Sequence, residues 1–161
     1  MNSKIVLVGK AAAGKDYLRK RFMNRNFTYG VSCTTRLPRV KAGEVHGKDY
    51  YFMSESEFVS LVDSGEMLEH QKFNGWYYGI TKEEFERCDV MIMNAEALEM
   101  LDDEYRNRCF VIYIDIPIEV RRTRIVERND PDDNFERRIQ ADEQQYAGFN
   151  NYDIRITNED F

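Results

Sequence analysis

Cysteine and histidine are scarce in this sequence: three cysteines (Cys33, Cys88 and Cys109) and two histidines among 161 residues. An odd set of thiols without CxxC spacing makes neither a disulfide framework nor a zinc site, and it suits a reducing compartment, the cytoplasm. Long apolar runs are missing too. The longest, Ile5–Val8, Val90–Met93 and Phe110–Ile114, fall far short of the roughly 20 residues that a membrane span requires. The amino terminus leads straight into a strand-like segment, without the basic and apolar regions of a cleavable leader. Net positive charge is absent as well: 29 acidic residues against 23 basic ones leave −6. That excludes a general binder of nucleic-acid polymers but leaves room for a small local phosphate site. Lysine itself is confined. All eight lysines lie at or before Lys82, and the ten cations beyond it are arginines, whose planar fork grips phosphate at two points where an ammonium acts as a point charge.

What is present suffices for one folded domain. The length matches a single domain, and 42% hydrophobic residues with ten Tyr and ten Phe supply a core. Lys4–Val8 reads as a short buried strand, followed by a Gly/Ala turn and a helix from Lys15 to about Met23. Tyr50–Met53 is a second strand. Ser54 to Glu57 forms a capping box ahead of Phe58, Leu61 and Val62 at helical spacing, and Ser64-Gly65 ends that helix. Met67–Phe73 and Trp76–Gly79 flank Asn74-Gly75 as a tight hairpin, and Thr81 opens a short helix. Val90–Met93 is a buried strand, Glu96–Tyr105 a helix and Phe110–Ile114 a strand closed by Pro117. Helices over Ile118–Arg128 and Phe135–Tyr146 and a strand at Ile154–Ile156 follow. Four apolar strands alternating with helices predict an α/β fold, a parallel sheet flanked by helices on both faces. The β-rich stretch from about Val31 to Gly79 interrupts that alternation as an insertion.

Between the first strand and the first helix, Gly9-Lys10-Ala11-Ala12-Ala13-Gly14-Lys15-Asp16 follows the phosphate-loop pattern G-x4-G-K-[ST] except at its last position. The glycines let the backbone curl until successive N–H groups face one anion, which also meets the positive end of the helix dipole. Lys15 is placed to reach the β- and γ-phosphates. Asp16 stands where a Ser or Thr hydroxyl would meet Mg²⁺. Its carboxylate is also a hard-oxygen ligand, though it brings negative charge toward a triphosphate; the alternative is that it caps the helix.

Further on, Ser32-Cys33-Thr34-Thr35-Arg36-Leu37-Pro38-Arg39 precedes Gly43-Glu44-Val45-His46-Gly47-Lys48-Asp49-Tyr50-Tyr51-Phe52. Gly65-Glu66-Met67-Leu68-Glu69 and Gly75-Trp76-Tyr77-Tyr78-Gly79 come later. Two arginines three apart on a Pro-stiffened loop, with tyrosine hydroxyls nearby, make a clamp for a dianion. Glu69 at a strand end offers a carboxylate that matches two adjacent donors, as on guanine, and that adenine cannot match. Together these segments resemble the guanylate kinase family, whose T-T-R-x-P-R, G-x-D-Y-x-F, G-E-[FL]-[IL]-E and Y-Y-G motifs occur here in order along nearly the whole chain.

The resemblance implies a P-loop core (1–30, 81–120 and 139–161), a monophosphate-binding insertion over about 31–80 and a helical lid over about 121–138. It implies transfer of the ATP γ-phosphoryl group to GMP or dGMP with Mg²⁺ as cofactor. Gly9, Ala11, Ala12, Ala13, Gly14, Lys15, Asp16, Tyr17 and Asn158 would then bind ATP, with Asp16 the metal ligand. Ser32, Arg36, Arg39, Tyr50, Glu69, Tyr78, Thr81 and Glu96 would bind GMP, and Lys15, Arg36, Arg124, Arg128 and Arg138 would act in the transfer. The arginines of the lid stretch are mixed with acids. Arg121 and Arg122 read as a solvated helix face, whereas Arg124, Arg128 and Arg138 align with the family's lid arginines. The expected form is a monomer or weak homodimer, without a membrane or nucleic-acid partner.

Beyond Asp16, the sequence departs from the family at Ile80, where Ser or Thr usually follows Y-Y-G, and at Asn94, where the strand usually ends in an acid. Val40-Lys41 is extra in its loop. One reading is that Asp16 supplies the carboxylate that Asn94 lacks. The alternative enzyme is a kinase for another small phosphate: a different dNMP, or the substrate of ribose 1,5-bisphosphate phosphokinase. That relative can also carry an Asp after the loop lysine, an Asn at the strand end and an aliphatic residue after Y-Y-G, although its substrate has no base for Glu69 to read. A non-catalytic guanylate-kinase-like module is the third reading; such modules lose the loop lysine, which is present here as Lys15. Guanylate kinases usually continue beyond the segment matched by Asn158-Glu159-Asp160-Phe161, so the expectation is a short, C-terminally truncated form.

Overall fold

In the computed structural model, which describes residues 3–128 and 135–161, the apolar segment Lys4–Gly9 forms β1. The chain continues through α1 (Lys15–Met23) to β2 (Cys33–Thr34), β3 (Tyr51–Phe52) and α2 (Glu55–Asp63). The hairpin β4 (Met67–Phe73) and β5 (Trp76–Thr81) leads into α3 (Lys82–Arg87), β6 (Val90–Ile92), α4 (Ala95–Glu99) and α5 (Asp103–Arg106). Then come β7 (Cys109–Ile114), α6 (Ile118–Arg128), α7 (Phe135–Gln145) and β8 (Ile154–Ile156).

Four of these strands make an all-parallel sheet in the order β6-β1-β7-β8. Val6, Leu7 and Val8 are all fully buried and Ile5 is partly buried, because helices cover both faces of the sheet. The faces divide by the strand period of two. Val6, Val8, Val111 and Tyr113 share a core with Met91, Leu98 and Phe85, while Leu7, Ile112 and Ile114 meet Leu18 and Phe22 of α1. Burial of each such side chain contributes about 1.5–3 kcal/mol. The strands run out at Gly9, Ile92 and Ile114, and the phosphate loop follows the first of them. The three cysteines are buried free thiols, and burial pushes each up to about 11.

The second sheet, in the order β3-β2-β5-β4, is built wholly from residues 33–81. Its hairpin turns at Asn74 (φ 53°) and Gly75 (φ 84°), the pair of left-handed residues that a two-residue turn of this twist requires. The capping box at α2 is complete: Ser54 accepts from Glu57 N–H, and the Glu57 carboxylate accepts from Ser54 N–H. Glu84 fastens the place where this sheet leaves and rejoins the first. Its carboxylate accepts the Val31 N–H at 2.9 Å, the Tyr51 hydroxyl at 3.0 Å and the Arg87 guanidinium.

Two sequence expectations need correction. The helix expected over Glu96–Tyr105 is broken into α4 and α5, because Asp102 adopts an extended conformation and caps α5 through Tyr105 N–H; a capping carboxylate competes with continued helix. Arg121 does not sit on a solvated face. It is 1% exposed, donating through Nε to the Ile116 carbonyl and through Nη1 to Asp142, whereas Arg122 is exposed as expected.

Candidate active site

The phosphate loop is held in its curl by its own lysine. Lys15 Nζ donates to the carbonyls of Gly9 and Lys10. Ala12 and Gly14 take left-handed conformations, φ 58° and 109°. Neither terminal glycine has room for a side chain. A Cβ on Gly9 would lie 2.7 Å from the Ile114 carbonyl oxygen, and one on Gly14 would lie 2.8 Å from the Phe161 ring. Arg124 of α6 reaches the outer side of the loop, donating to the carbonyls of Ala12 and Ala13 at 3.1 and 3.2 Å. Ala13 itself is fully buried.

Two clefts flank this loop. On the outer side, Gly14, Asp16, Tyr17, Arg124 and Phe161 line an open cleft in which the rings of Tyr17 and Phe161 meet edge to face. On the other side, Ala11 and Lys15 open into a chamber walled by the second sheet. Ser32, Arg36, Arg39, Tyr50, Glu69 and Tyr78 all line it, so residues spread over nearly fifty positions of sequence converge on one space. Arg138 enters from α7.

Arg36 is 8% exposed and lies over the Tyr50 and Phe52 rings. Glu44 takes its Nη1 and Nη2 at 3.0 and 2.9 Å and also accepts the Arg39 N–H at 2.7 Å. Burial disfavours both charges, but these hydrogen bonds prevail: the Glu44 carboxyl lies below its ordinary range and the Arg36 guanidinium above it. Glu69 is the opposite case. It is 6% exposed, and burial pushes its carboxyl up to about 8, against the Ile80 N–H that it accepts and with the Glu96 charge adding to the rise. Its Oε2 is buried without a hydrogen-bond partner among the described residues.

Three expected residues lie elsewhere. Thr81 is outside the chamber lining; its hydroxyl caps α3, accepting the Glu84 N–H at 3.1 Å. Glu96 is exposed in the first turn of α4 and acts on the chamber only through its charge on Glu69. Asn158 accepts the Asp160 N–H at 3.0 Å, and it is the following residues, Glu159 to Phe161, that line the outer cleft. The side chains of Arg128 and Arg137, and residues 129–134 of the expected lid, lie outside the described residues. Asp16 and Asn94 face different clefts, which separates the two positions proposed to exchange a carboxylate. Asp16 instead lies 3.2 Å from Arg19 Nε.

Sequence reasoning missed several chamber residues. Gln71 and Asn94 pair reciprocally through their amides, both bonds 2.9 Å, on the chamber wall. The signal was there: Gln71 follows Glu69 by two on a strand and shares its face. Asp142, four residues after Arg138 on α7, also lines the chamber and accepts the Ala11 N–H at 3.0 Å. Burial raises its carboxyl above the ordinary range, against that N–H and the charges of Lys15, Arg121 and Lys10.

The comparisons agree with one another. The family model for guanylate kinase matches residues 1–161. A guanylate kinase of Geobacter metallireducens is 33% identical, aligned over 97% of this chain and 80% of its own length; one of Nostoc is 31% identical, over 98% and 82%. The crystal structure of guanylate kinase from Anaplasma phagocytophilum superposes with a TM-score of 0.72 at 25% identity, covering 98% of this chain and 77% of that one. A sheet carrying a phosphate loop, a second sheet walling a cationic chamber and a sequence match along the full length thus converge, and the chain belongs to the guanylate kinase family.

Proposed function

We propose that the protein transfers the γ-phosphoryl group of ATP to GMP or dGMP, with the donor entering by the outer cleft and the acceptor filling the chamber. The observation that carries this reading is Glu69, a buried carboxyl with one oxygen lacking a partner, in a chamber that also holds two arginines of a phosphate clamp. Guanine offers N1–H and a 2-amino group side by side, and an ionised Glu69 can accept both. Ser32 adds a hydroxyl to the same wall. Arg36, Arg39, Tyr50 and Tyr78 hold the monophosphate. Residues 31–80 serve as the acceptor-binding insertion, 121–138 as the lid and the remainder as the core.

The acceptor phosphate is already anionic, so the reaction needs no strong base. Alignment and charge neutralisation carry it: Lys15, Arg36, Arg39 and Arg138 line the chamber where the two anions must approach, and Arg124 lines the outer cleft beside the loop. Closure of lid and insertion excludes water, which would otherwise hydrolyse ATP. Mg²⁺ suits this site as a companion of the nucleotide. Among the described residues no group of three or more His, Cys, Asp or Glu could hold a metal, and magnesium binds through one or two carboxylates, water and substrate phosphates. Asp16, exposed on the outer cleft, is the side chain placed to supply one such oxygen. The metal would contribute neutralisation of phosphate charge. No helix among the described residues is long and apolar enough to cross a membrane. We place the enzyme in the cytoplasm, as a monomer or weak homodimer.

A coupled assay of ADP formation against GMP, dGMP, AMP, dTMP and ribose 1,5-bisphosphate tests this. Turnover with GMP and dGMP is expected. Turnover on ribose 1,5-bisphosphate with none on GMP would overturn it.

A further inference from the structure

Helix α7 and the residue just past it meet the phosphate loop through three side chains. Tyr146 donates its hydroxyl proton to the Gly9 carbonyl at 3.0 Å, Glu143 pairs with Lys10 at 3.2 Å, and Asp142 accepts the Ala11 N–H at 3.0 Å. The first two occupy a carbonyl and the half-buried Lys10 ammonium. The third occupies a backbone donor in the segment whose donors exist to hold phosphate. The same Asp142 oxygen accepts from Arg121 Nη1 at 3.3 Å, and Arg121 is 1% exposed. A carboxylate held by a loop amide and a buried guanidinium has the surroundings of a phosphate oxygen.

The clefts identify which phosphate. Ala12, Gly14 and Asp16 line the outer cleft, whereas Ala11 lines the acceptor chamber with Arg36 and Arg138. The donor phosphate that reaches Ala11 is therefore the one nearest the acceptor, the terminal phosphate of a triphosphate. A diphosphate ends before it.

We propose that Asp142 stands in the place of the donor's terminal phosphate while the site is empty, and that a nucleoside triphosphate, but not a diphosphate, displaces it. The proposal rests on the reading of the outer cleft as the donor site. The exchange keeps an anion beside Arg121 in both states, so its buried charge is never left alone. Asp142 and Arg138 are one helical turn apart and line the same chamber, so a shift of α7 that takes the carboxylate off Ala11 carries the arginine with it. Asp142 is thus a specificity-determining residue. It lowers the advantage of triphosphate over diphosphate and couples the presence of the transferable phosphate to the placement of Arg138.

Calorimetry with a non-hydrolysable ATP analogue and with ADP tests this on wild type and Asp142→Asn, which keeps the shape and an acceptor for Ala11 but removes the charge. The analogue is expected to bind about tenfold tighter to the variant, with ADP changed by less than about twofold, because repulsion between like charges is lost only where the third phosphate sits. An unchanged ratio of the two affinities, or equal weakening of both, overturns the proposal. If Asp142→Asn does not fold, Asp142→Glu keeps an anion for Arg121 while shifting it along the loop, and its triphosphate-to-diphosphate ratio must still differ from wild type. In the wild type, the analogue but not ADP must raise amide exchange in residues 138–145; equal effects overturn the proposal. Failure of both nucleotides to bind the wild type would instead overturn the donor-site reading, and with it the proposal.

Discussion

Glu44 holds both arginines of the clamp at once, Arg36 through two side-chain hydrogen bonds and Arg39 through its backbone N–H at 2.7 Å. Arg36 Nη1 also donates to the Leu37 carbonyl at 2.8 Å. Of the five guanidinium N–H groups, Nε–H and the second Nη2 hydrogen have no acceptor among the described residues and are left for an incoming phosphate. Glu44→Gln keeps the shape but replaces one donor-to-oxygen contact by an opposed N–H. Steady-state kinetics should show the KM for GMP raised about tenfold, with the KM for ATP unchanged.

The Glu69 carboxyl, at about 8 against an ordinary 4.5, makes acceptor binding depend on pH. In the empty site it is protonated at neutral pH, whereas pairing with the two guanine donors requires the ionised form. GMP binding should release about one proton at pH 7 and none well above pH 8, and affinity should rise as pH climbs from about 5 to 8. Stability runs the other way. A raised folded value means that this group's contribution is fully present below about 4.5 and is lost as pH rises through about 8. Calorimetry in buffers of different protonation enthalpy measures the first effect, and Glu69→Gln should abolish both.

Thr81→Ala separates cap from site. Since the hydroxyl caps α3 through Glu84 N–H, its loss should lower unfolding free energy by about 1 kcal/mol and leave the KM for GMP unaltered. Denaturant titration and kinetics on the same protein check the two halves.

Gly14→Ala meets two obstacles, a φ of 109° and the Phe161 ring 2.8 Å from the new Cβ. The backbone part alone costs about 1–2 kcal/mol. The variant should lose most ATP affinity. Adding Phe161→Ala should relieve the collision and recover only part of it, as a nucleotide titration of single and double variants would show.

The architecture was legible because both sheets write their pattern locally: continuous apolar runs for strands buried on both faces, Asn74-Gly75 for the hairpin, Ser54 and Glu57 for a cap. The chamber was legible because its arginines, tyrosines and Glu69 lie in short ordered motifs. What stayed hidden depends on distant partners. Arg121 and Arg122 are neighbours of one type, and only the approach of Asp142 from another helix decides which is buried. Thr81 and Ile80 differ by one step along a strand, and the α3 cap, not their chemistry, settles where Thr81 points. Asp102 stops a helix whose apolar spacing continues past it.

The Gln71–Asn94 pair joins β4 of the second sheet to the cap of α4 in the first, where Asn94 also accepts the Ala97 N–H. The chamber also holds Lys15, Arg36, Arg39, Glu69, Arg138 and Asp142, and each catalytic cycle brings in and removes several phosphate charges. This seam is neutral on both sides. Two amide–amide hydrogen bonds, worth about 1 kcal/mol each, neither titrate nor weaken with ionic strength. The floor of the cleft therefore keeps its registration between the sheets while the electrostatics above it are rewritten at every turnover.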